Sequence, residues 1–146
     1  MNKKDVIIIR GPSGSGKTTL AKKLCDKYNN AIFHEADQFF YNKNGKYNFN
    51  YRYLDSAHNY CRFYFKKSLQ DSQYDAVIVS NTNILLDHIK DYLDLARYHN
   101  IIIYKTKGPW VPEILEDRNK HTVPLKTISR QISNYEPHSN EIEYED

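Results

Sequence analysis

The chain has 146 residues, the length of one ordinary domain, and its 40% hydrophobic and 27% charged residues are typical of a globular protein. Its net charge of +3 hides an asymmetry, because residues 136–146 hold five acids and no Lys or Arg. The other 13 acids face 21 bases, so residues 1–135 carry a charge of +8. This basic body suits a polyanionic ligand, although solvated lysines also explain surplus charge.

The sequence excludes several locations for the protein. No stretch approaches the ~20 consecutive apolar residues of a membrane span, so no membrane association is expected. The apolar run at residues 6–9 is shorter than the ~7–15 residues of a signal-peptide core. Two cysteines do not make a disulfide framework. We therefore expect a cytoplasmic, intracellular protein in a reducing compartment.

Hydrophobic periodicity predicts strands that alternate with helices along the chain. The strands are short apolar runs at residues 6–9, 31–34, 76–79 and 101–104. Helices with an apolar stripe are predicted at residues 17–28, 51–70 and 84–99. This order predicts an α/β fold with a central parallel sheet of at least four strands flanked by helices.

The same reading predicts the domain organisation. Residues 1–135 should form one domain, with a helical lid near residues 111–124. Residues 136–146 should form an acidic, flexible tail.

A glycine-rich segment follows the first strand and opens the first helix. Residues 11–18 match G-x-x-x-x-G-K-[ST] at every required position. Glycines let successive N–H groups surround phosphate oxygens, the lysine reaches the β- and γ-phosphates, and the Thr18 hydroxyl is a Mg²⁺ ligand. We therefore predict a site for ATP and Mg²⁺ formed by Gly11, Pro12, Ser13, Gly14, Ser15, Gly16, Lys17, Thr18 and Thr19.

Two other nucleotide-binding classes fit the sequence poorly. A motor ATPase usually ends a later strand with a metal-holding Asp, whereas the third predicted strand leads into Ser80-Asn81-Thr82-Asn83. The Asn-Lys-x-Asp guanine reader is also missing, because residues 119–122 lack its Asp. A small phosphotransferase is the class that remains, with a P-loop kinase fold.

Two charged residues are candidates for catalysis. Asp37 lies just past the second strand, at the edge where α/β folds bind ligands, and its carboxylate could accept the proton of an acceptor hydroxyl. Position alone favours a helix cap or a loop acid over that role. Arg118 ends an amphipathic helix and precedes Lys120 and His121, so it could hold the transferring phosphoryl group or complement the helix dipole.

An aromatic-rich loop lies between the second strand and the next helix. Aromatic side chains beside basic residues can stack splayed bases, and packing beneath a long loop fits them equally well. The loop, at residues 38–53, holds Phe39, Phe40, Tyr41, Tyr47, Phe49, Tyr51 and Tyr53.

Several blocks in this order resemble a known family. GPSGSGKTTLAKKL, HEADQFF, NGKYNF, LDSAHNYC, VIVSNTN and WVPEILEDRNKHTVP are similar to the phage-type 5′-hydroxyl polynucleotide kinase domain and to related P-loop kinase-like domains. The resemblance spans residues 5–135. It implies Lys17, Asp37 and Arg118 as catalytic residues: Lys17 on ATP, Asp37 as general base and Arg118 as the lid arginine. It also implies an acceptor site at Phe40, Asn81, Thr82 and Asn83.

Two departures concern the acceptor side. The phage kinase has an acceptor-binding Arg where this chain has Phe40, and an Asp where it has Asn81. Three functions therefore stay open: a kinase for the 5′-hydroxyl of DNA or RNA, a zeta-toxin-like kinase for a small metabolite or nucleotide sugar, and an ATP-binding module with little turnover. Only the first makes nucleic acid a partner.

Overall fold

The computed structural model describes residues 3–145 and contains a five-stranded sheet. All neighbouring strands run parallel, in the order β2-β3-β1-β4-β5. This confirms the predicted α/β fold with a central parallel sheet. The strands are β1 Asp5–Arg10, β2 Ala31–His34, β3 Ala76–Ser80, β4 Asn100–Lys105 and β5 Glu141–Glu143.

Helices cover both faces of the sheet. They are α1 Lys17–Cys25, α2 Leu54–Gln70, α3 Leu86–Leu95, α4 Pro112–Arg118 and α5 Leu125–Asn134. Two short 3₁₀ segments, Ala36–Phe40 and Tyr51–Tyr53, form the two ends of the aromatic-rich loop. The predicted lid region contains α4. Within the described residues, no helix is both long enough and apolar enough to cross a bilayer.

The central strand β1 contributes to two cores because successive side chains point to opposite faces of a sheet. Val6 and Ile8 pack with α2 and α3, whereas Ile7 and Ile9 pack with α1. All four side chains are buried, as expected for a parallel strand covered on both faces. This packing fixes the point at which β1 ends and the glycine-rich loop begins.

The acidic segment differs from its sequence-based expectation. It is not a frayed tail over its described length, because β5 adds to β4 as the fifth strand. Glu141 accepts a hydrogen bond from the buried Arg10 guanidinium at 2.7 Å, and Arg10 also donates to the Glu136 carbonyl at 2.7 Å. A buried guanidinium needs a paired carboxylate. Glu141 supplies that carboxylate and so anchors the acidic segment to β1. Residues 1, 2 and 146, the ends of the predicted domain and tail, lie outside the described residues.

Candidate active site

The glycine-rich loop connects β1 to α1 at the carboxyl edge of the sheet. Gly14 and Gly16 have φ values of 82° and 93°, which favour glycine. A Cβ at Gly14 would also collide with the Leu115 carbonyl on α4. The loop is therefore tightly turned and lies directly against the predicted lid helix.

The first turn of α1 gives the loop its positive end. The N–H groups of Lys17, Thr18 and Thr19 have no carbonyl one turn earlier in the helix, and the helix dipole adds partial positive charge there. The Lys17 ammonium donates to the Pro12 carbonyl at 3.0 Å. Burial lowers the pKa of Lys17 to about 8, while the Glu35 and Asp37 carboxylates oppose the shift. This is a favourable environment for phosphate oxygens.

Thr18, the predicted magnesium ligand, has an acidic partner. Its hydroxyl donates to Glu35 Oε2 at 2.6 Å. Burial raises the pKa of the Glu35 carboxyl, and the hydrogen bond from Thr18 partly offsets this. Mg²⁺ prefers oxygen ligands and is usually bound through one or two carboxylates, waters and substrate phosphates. The paired oxygens of Thr18 and Glu35 fit a Mg²⁺ ion shared with a nucleotide.

Asp37 lies in the 3₁₀ segment that follows β2, at the same edge of the sheet. Its side chain is 48% exposed, so one side of the carboxylate faces solvent. The Tyr47 hydroxyl donates to Oδ1 at 3.1 Å, and His121 Nε2 lies 3.7 Å from Oδ2. The His121 ring also stacks on Tyr47 with centroids 3.9 Å apart. The loop and the segment after α4 therefore hold the carboxylate in place and leave it accessible.

Arg118 lies at the end of α4, beside the glycine-rich loop. Its side chain is exposed and lines a cavity of about 390 Å³ between the loop and α4. The other lining residues are Ser15, Lys107, Gly108, Pro109, Val111, Ile114 and Leu115. A larger groove of about 660 Å³ runs along α3 and includes none of the predicted site residues. The structure thus places Arg118 where it can meet a group bound at the loop.

Most of the predicted acceptor residues are buried. Phe40 is 6% exposed and packs in the main core, so it presents no surface to a ligand, which corrects the expectation for it. Asn81 accepts from the Ala36 N–H at 2.8 Å, and the Asn83 amide donates to a β1 carbonyl at 3.0 Å. These two asparagines therefore hold the backbone around the site. Thr82 alone of the four is partly exposed.

Sequence reasoning missed several groups at this site. Glu35 could have been found, because it follows β2 at the ligand-binding edge just as Asp37 does. Gln131 has no local signal: its side chain lies on α5, accepts from the Ser13 N–H at 2.9 Å and donates to the Ser13 hydroxyl at 3.2 Å. Tyr47 was one of many loop aromatics. Only the folded chain shows which ring reaches Asp37.

The fold and the glycine-rich loop define a P-loop protein with the kinase-type arrangement of strands. The AAA domain family model matches residues 6–138, and the chain belongs to that family.

A curated relative and two solved structures show how far the similarity extends. The chain is 29% identical over 135 residues to NEDD4-binding protein 2 of Homo sapiens, covering 90% of this chain but only 8% of that protein. It resembles the Pnkp1/Rnl/Hen1 RNA repair complex with a TM-score of 0.70 at 18% identity, over 92% of this chain and 44% of the other. A gluconokinase from Sinorhizobium meliloti 1021 has a TM-score of 0.65 at 16% identity, over 98% and 83%. At these identities, the two structures establish the fold alone.

Proposed function

We propose that the protein is an ATP-dependent kinase that transfers the γ-phosphoryl group of ATP to the 5′-hydroxyl of a polynucleotide. The observation that carries this proposal is the position of the Asp37 carboxylate. The carboxylate acts to raise the pKa of Lys17, is accessible to solvent, and accepts a hydrogen bond from the Tyr47 hydroxyl. Binding of ATP alone needs no such acid, whereas phosphoryl transfer to an alcohol does.

The nucleotide would bind between the glycine-rich loop and the lid. The N–H groups that open α1 and the Lys17 ammonium face the phosphates, and the cavity beside Ser15 has room for the nucleoside. Arg118 lines that cavity and can add positive charge to the transferring group. Thr18 and Glu35 would hold Mg²⁺, which neutralises charge on the phosphate oxygens when bound.

The acceptor hydroxyl would approach from the solvent side of Asp37. The carboxylate accepts the hydroxyl proton as the oxygen attacks the γ-phosphorus, and the bond to the β–γ bridging oxygen breaks. Tyr47 keeps the carboxylate oriented by donating to the oxygen that does not take the proton. Asn81 supports the same segment because it binds the Ala36 N–H, one residue before Asp37.

The net positive charge of the chain and its sequence resemblance to polynucleotide kinases both support a polynucleotide acceptor. The chain carries a net charge of +3, which favours a polyanion over a neutral sugar. The ordered blocks that resemble the 5′-hydroxyl polynucleotide kinases span most of the chain. A solved structure with the same fold comes from an RNA repair complex.

The test is a parallel phosphorylation assay with labelled ATP. The acceptors are single-stranded 5′-hydroxyl DNA and RNA oligonucleotides, a nucleoside, a neutral sugar such as glucose, and the anionic sugar acid gluconate. We expect transfer to an oligonucleotide that the Asp37→Asn variant loses while it still binds ATP. Transfer only to a sugar or nucleoside would favour the metabolite kinase. ATP binding without transfer to any acceptor would favour the binding module.

A further inference from the structure

Helix α2 carries an aromatic surface on the side that faces away from the core. Its inner face buries Ala57, Cys61, Phe65, Ser68 and Leu69. On the outer face Tyr60, Phe63 and Tyr64 are exposed, with Phe63 at 56%. Spacings of three and four residues place these rings on one side of the helix. Phe39 extends the group, and we call Phe39, Tyr60, Phe63 and Tyr64 the aromatic ribbon.

The aromatic ribbon is continuous from ring to ring. Centroids are 5.1 Å apart between Phe63 and Tyr64, 4.7 Å between Tyr64 and Tyr60, and 5.6 Å between Tyr60 and Phe39. Phe39 lies two residues after Asp37 in the same 3₁₀ segment. The ribbon therefore begins in the segment that carries the proposed general base and extends away from that segment along α2.

The surroundings of the aromatic ribbon are positively charged. Helix α2 holds Arg62, Lys66 and Lys67 against one acid, Asp55, and Arg62 lies 3.9 Å from Asp91 on α3. The Lys67 ammonium lies 5.6 Å from the centre of the Phe63 ring, and Lys66 beside it is exposed. Rings flanked by cations match a chain of flat bases joined by phosphates, whereas an apolar helix of a partner protein would gain nothing from the excess charge.

We propose that the aromatic ribbon is a stacking platform for the bases of a single-stranded polynucleotide whose 5′ end lies at Asp37. This inference rests on the proposed function and specifies the form of its substrate. Successive bases stack on Phe39, Tyr60, Tyr64 and Phe63 while the lysines meet the backbone phosphates. A duplex cannot use the platform, because its bases are already stacked on one another. Binding is largely independent of sequence, since every base has a π-face.

The experiment measures binding without catalysis. A ten-nucleotide single-stranded DNA with a 5′-hydroxyl and a 3′ fluorescein is titrated with the protein, and the Kd is read from anisotropy. An abasic strand of the same length retains the phosphates but offers no bases. Removing one stacking ring weakens binding by roughly 5- to 150-fold, so Phe63→Ala/Tyr64→Ala should raise the Kd by about 25-fold or more. The salt dependence of log Kd should not change, because no phosphate contact is lost.

Matched variants separate stacking from other effects. Tyr98 is 73% exposed and lies just before β4, at the amino edge of the sheet and outside the aromatic ribbon. Tyr98→Ala should therefore leave the Kd unchanged. Phe63→Trp retains a stacking surface and should bind as the wild type does. If the double variant does not fold, the exposed Phe63→Ala alone should still weaken binding by about fivefold or more.

Several outcomes would overturn the inference. The first is a double variant that binds the single strand with wild-type affinity, and the second is a double substitution that weakens binding of the abasic strand as much as binding of the normal strand. The third is a wild-type protein that binds duplex and single strand with equal affinity. The fourth is a wild-type dimer that the double substitution dissociates. Phosphorylation by the wild type is assayed in parallel. Base-dependent binding without transfer to any 5′-hydroxyl would contradict the proposed function and spare the platform. Transfer to oligonucleotides with base-independent binding would contradict the platform alone.

Discussion

The Thr18 hydroxyl donates to the Glu35 carboxylate across 2.6 Å, which joins the first turn of α1 to the residue after β2. The two residues are 17 positions apart in the chain and meet because α1 begins, and β2 ends, at the carboxyl edge of the sheet. The contact places an acid beside the hydroxyl predicted to bind Mg²⁺. It also gives the Glu35 carboxylate a partner in a partly buried position.

Glu35→Gln should weaken the response to Mg²⁺ without unfolding the protein. Loss of a group that orients a metal ligand typically costs 10–100-fold in metal affinity, so the Mg²⁺ concentration for half-maximal activity should rise by about that factor. Because burial raises the pKa of Glu35, the folded state disfavours its charge, and the neutral amide should keep or raise the Tm. A Mg²⁺ titration and a melting curve measure both effects. Glu145→Gln, at an exposed position, is the control. An unchanged Mg²⁺ requirement would show that Glu35 accepts the hydrogen bond from Thr18 without taking part in Mg²⁺ binding.

Asp37→Asn should lower kcat and leave ATP binding intact. The amide has nearly the same shape but cannot accept the acceptor proton, and such losses are about 10²–10⁴-fold. Steady-state kinetics on the acceptor identified by the parallel assay, together with ATP binding by calorimetry, make the test. A rise confined to the acceptor KM would identify Asp37 as a substrate-binding group instead.

ATP affinity should fall as the pH rises through about 8. The pKa of Lys17 in the free protein is about 8, so its ammonium, which attracts the phosphates, is lost above that pH. ATP binding favours the charged form and is therefore coupled to proton uptake at alkaline pH. The Kd should rise by roughly fivefold to tenfold between pH 7.5 and pH 9, as measured by calorimetry in buffers of different ionisation enthalpy.

Lys17→Arg is the matched control for that pH dependence, because a guanidinium does not titrate in this range. The variant should bind ATP with a higher Kd than the wild type at every pH, and this Kd should change little with pH. An equal pH dependence in both proteins would assign the titration to another group.

Arg118→Lys should be almost as damaging as Arg118→Ala. A planar guanidinium can hold two phosphoryl oxygens at once, and an ammonium cannot reproduce that geometry. An arginine that stabilises the transferring group is worth about 10³-fold or more in kcat. The comparison is of kcat for both variants, with Arg97→Lys at the opposite edge of the sheet as the control. Wild-type kcat in Arg118→Lys would mean that diffuse charge is sufficient.

Glu141→Ala should destabilise the fold much more than Glu143→Ala on the same strand. It leaves the buried Arg10 guanidinium without its carboxylate, and breaking such a pair typically costs about 3–5 kcal/mol. Glu143 is exposed, so its loss should cost less than about 1 kcal/mol. Urea unfolding of the three proteins measures the difference. Equal midpoints would indicate that β5 adds little to stability.

The sequence by itself determined the α/β class and the position of the nucleotide loop. The β-branched run of β1 must be covered on both faces, and the Gly-x-x-x-x-Gly-Lys-Thr pattern that follows it restricts the chain to one tight turn before a helix. Asp37 could also be selected from the sequence, because residues just past parallel strands meet at one edge of the sheet. These features depend on local pattern and on the short spacing between neighbouring elements.

The tertiary structure decided what local pattern leaves open. Phe40 and Phe39 are adjacent and chemically identical, yet the direction of one 3₁₀ segment buries the first and exposes the second. The acids after residue 135 suggest a solvated tail in the sequence. In the structure Glu141 instead pairs with the buried Arg10, which lies 131 residues away in the chain. Such pairings arise only when distant segments pack together, because burial changes the free energy of a charge or a ring far more than its neighbours in sequence do.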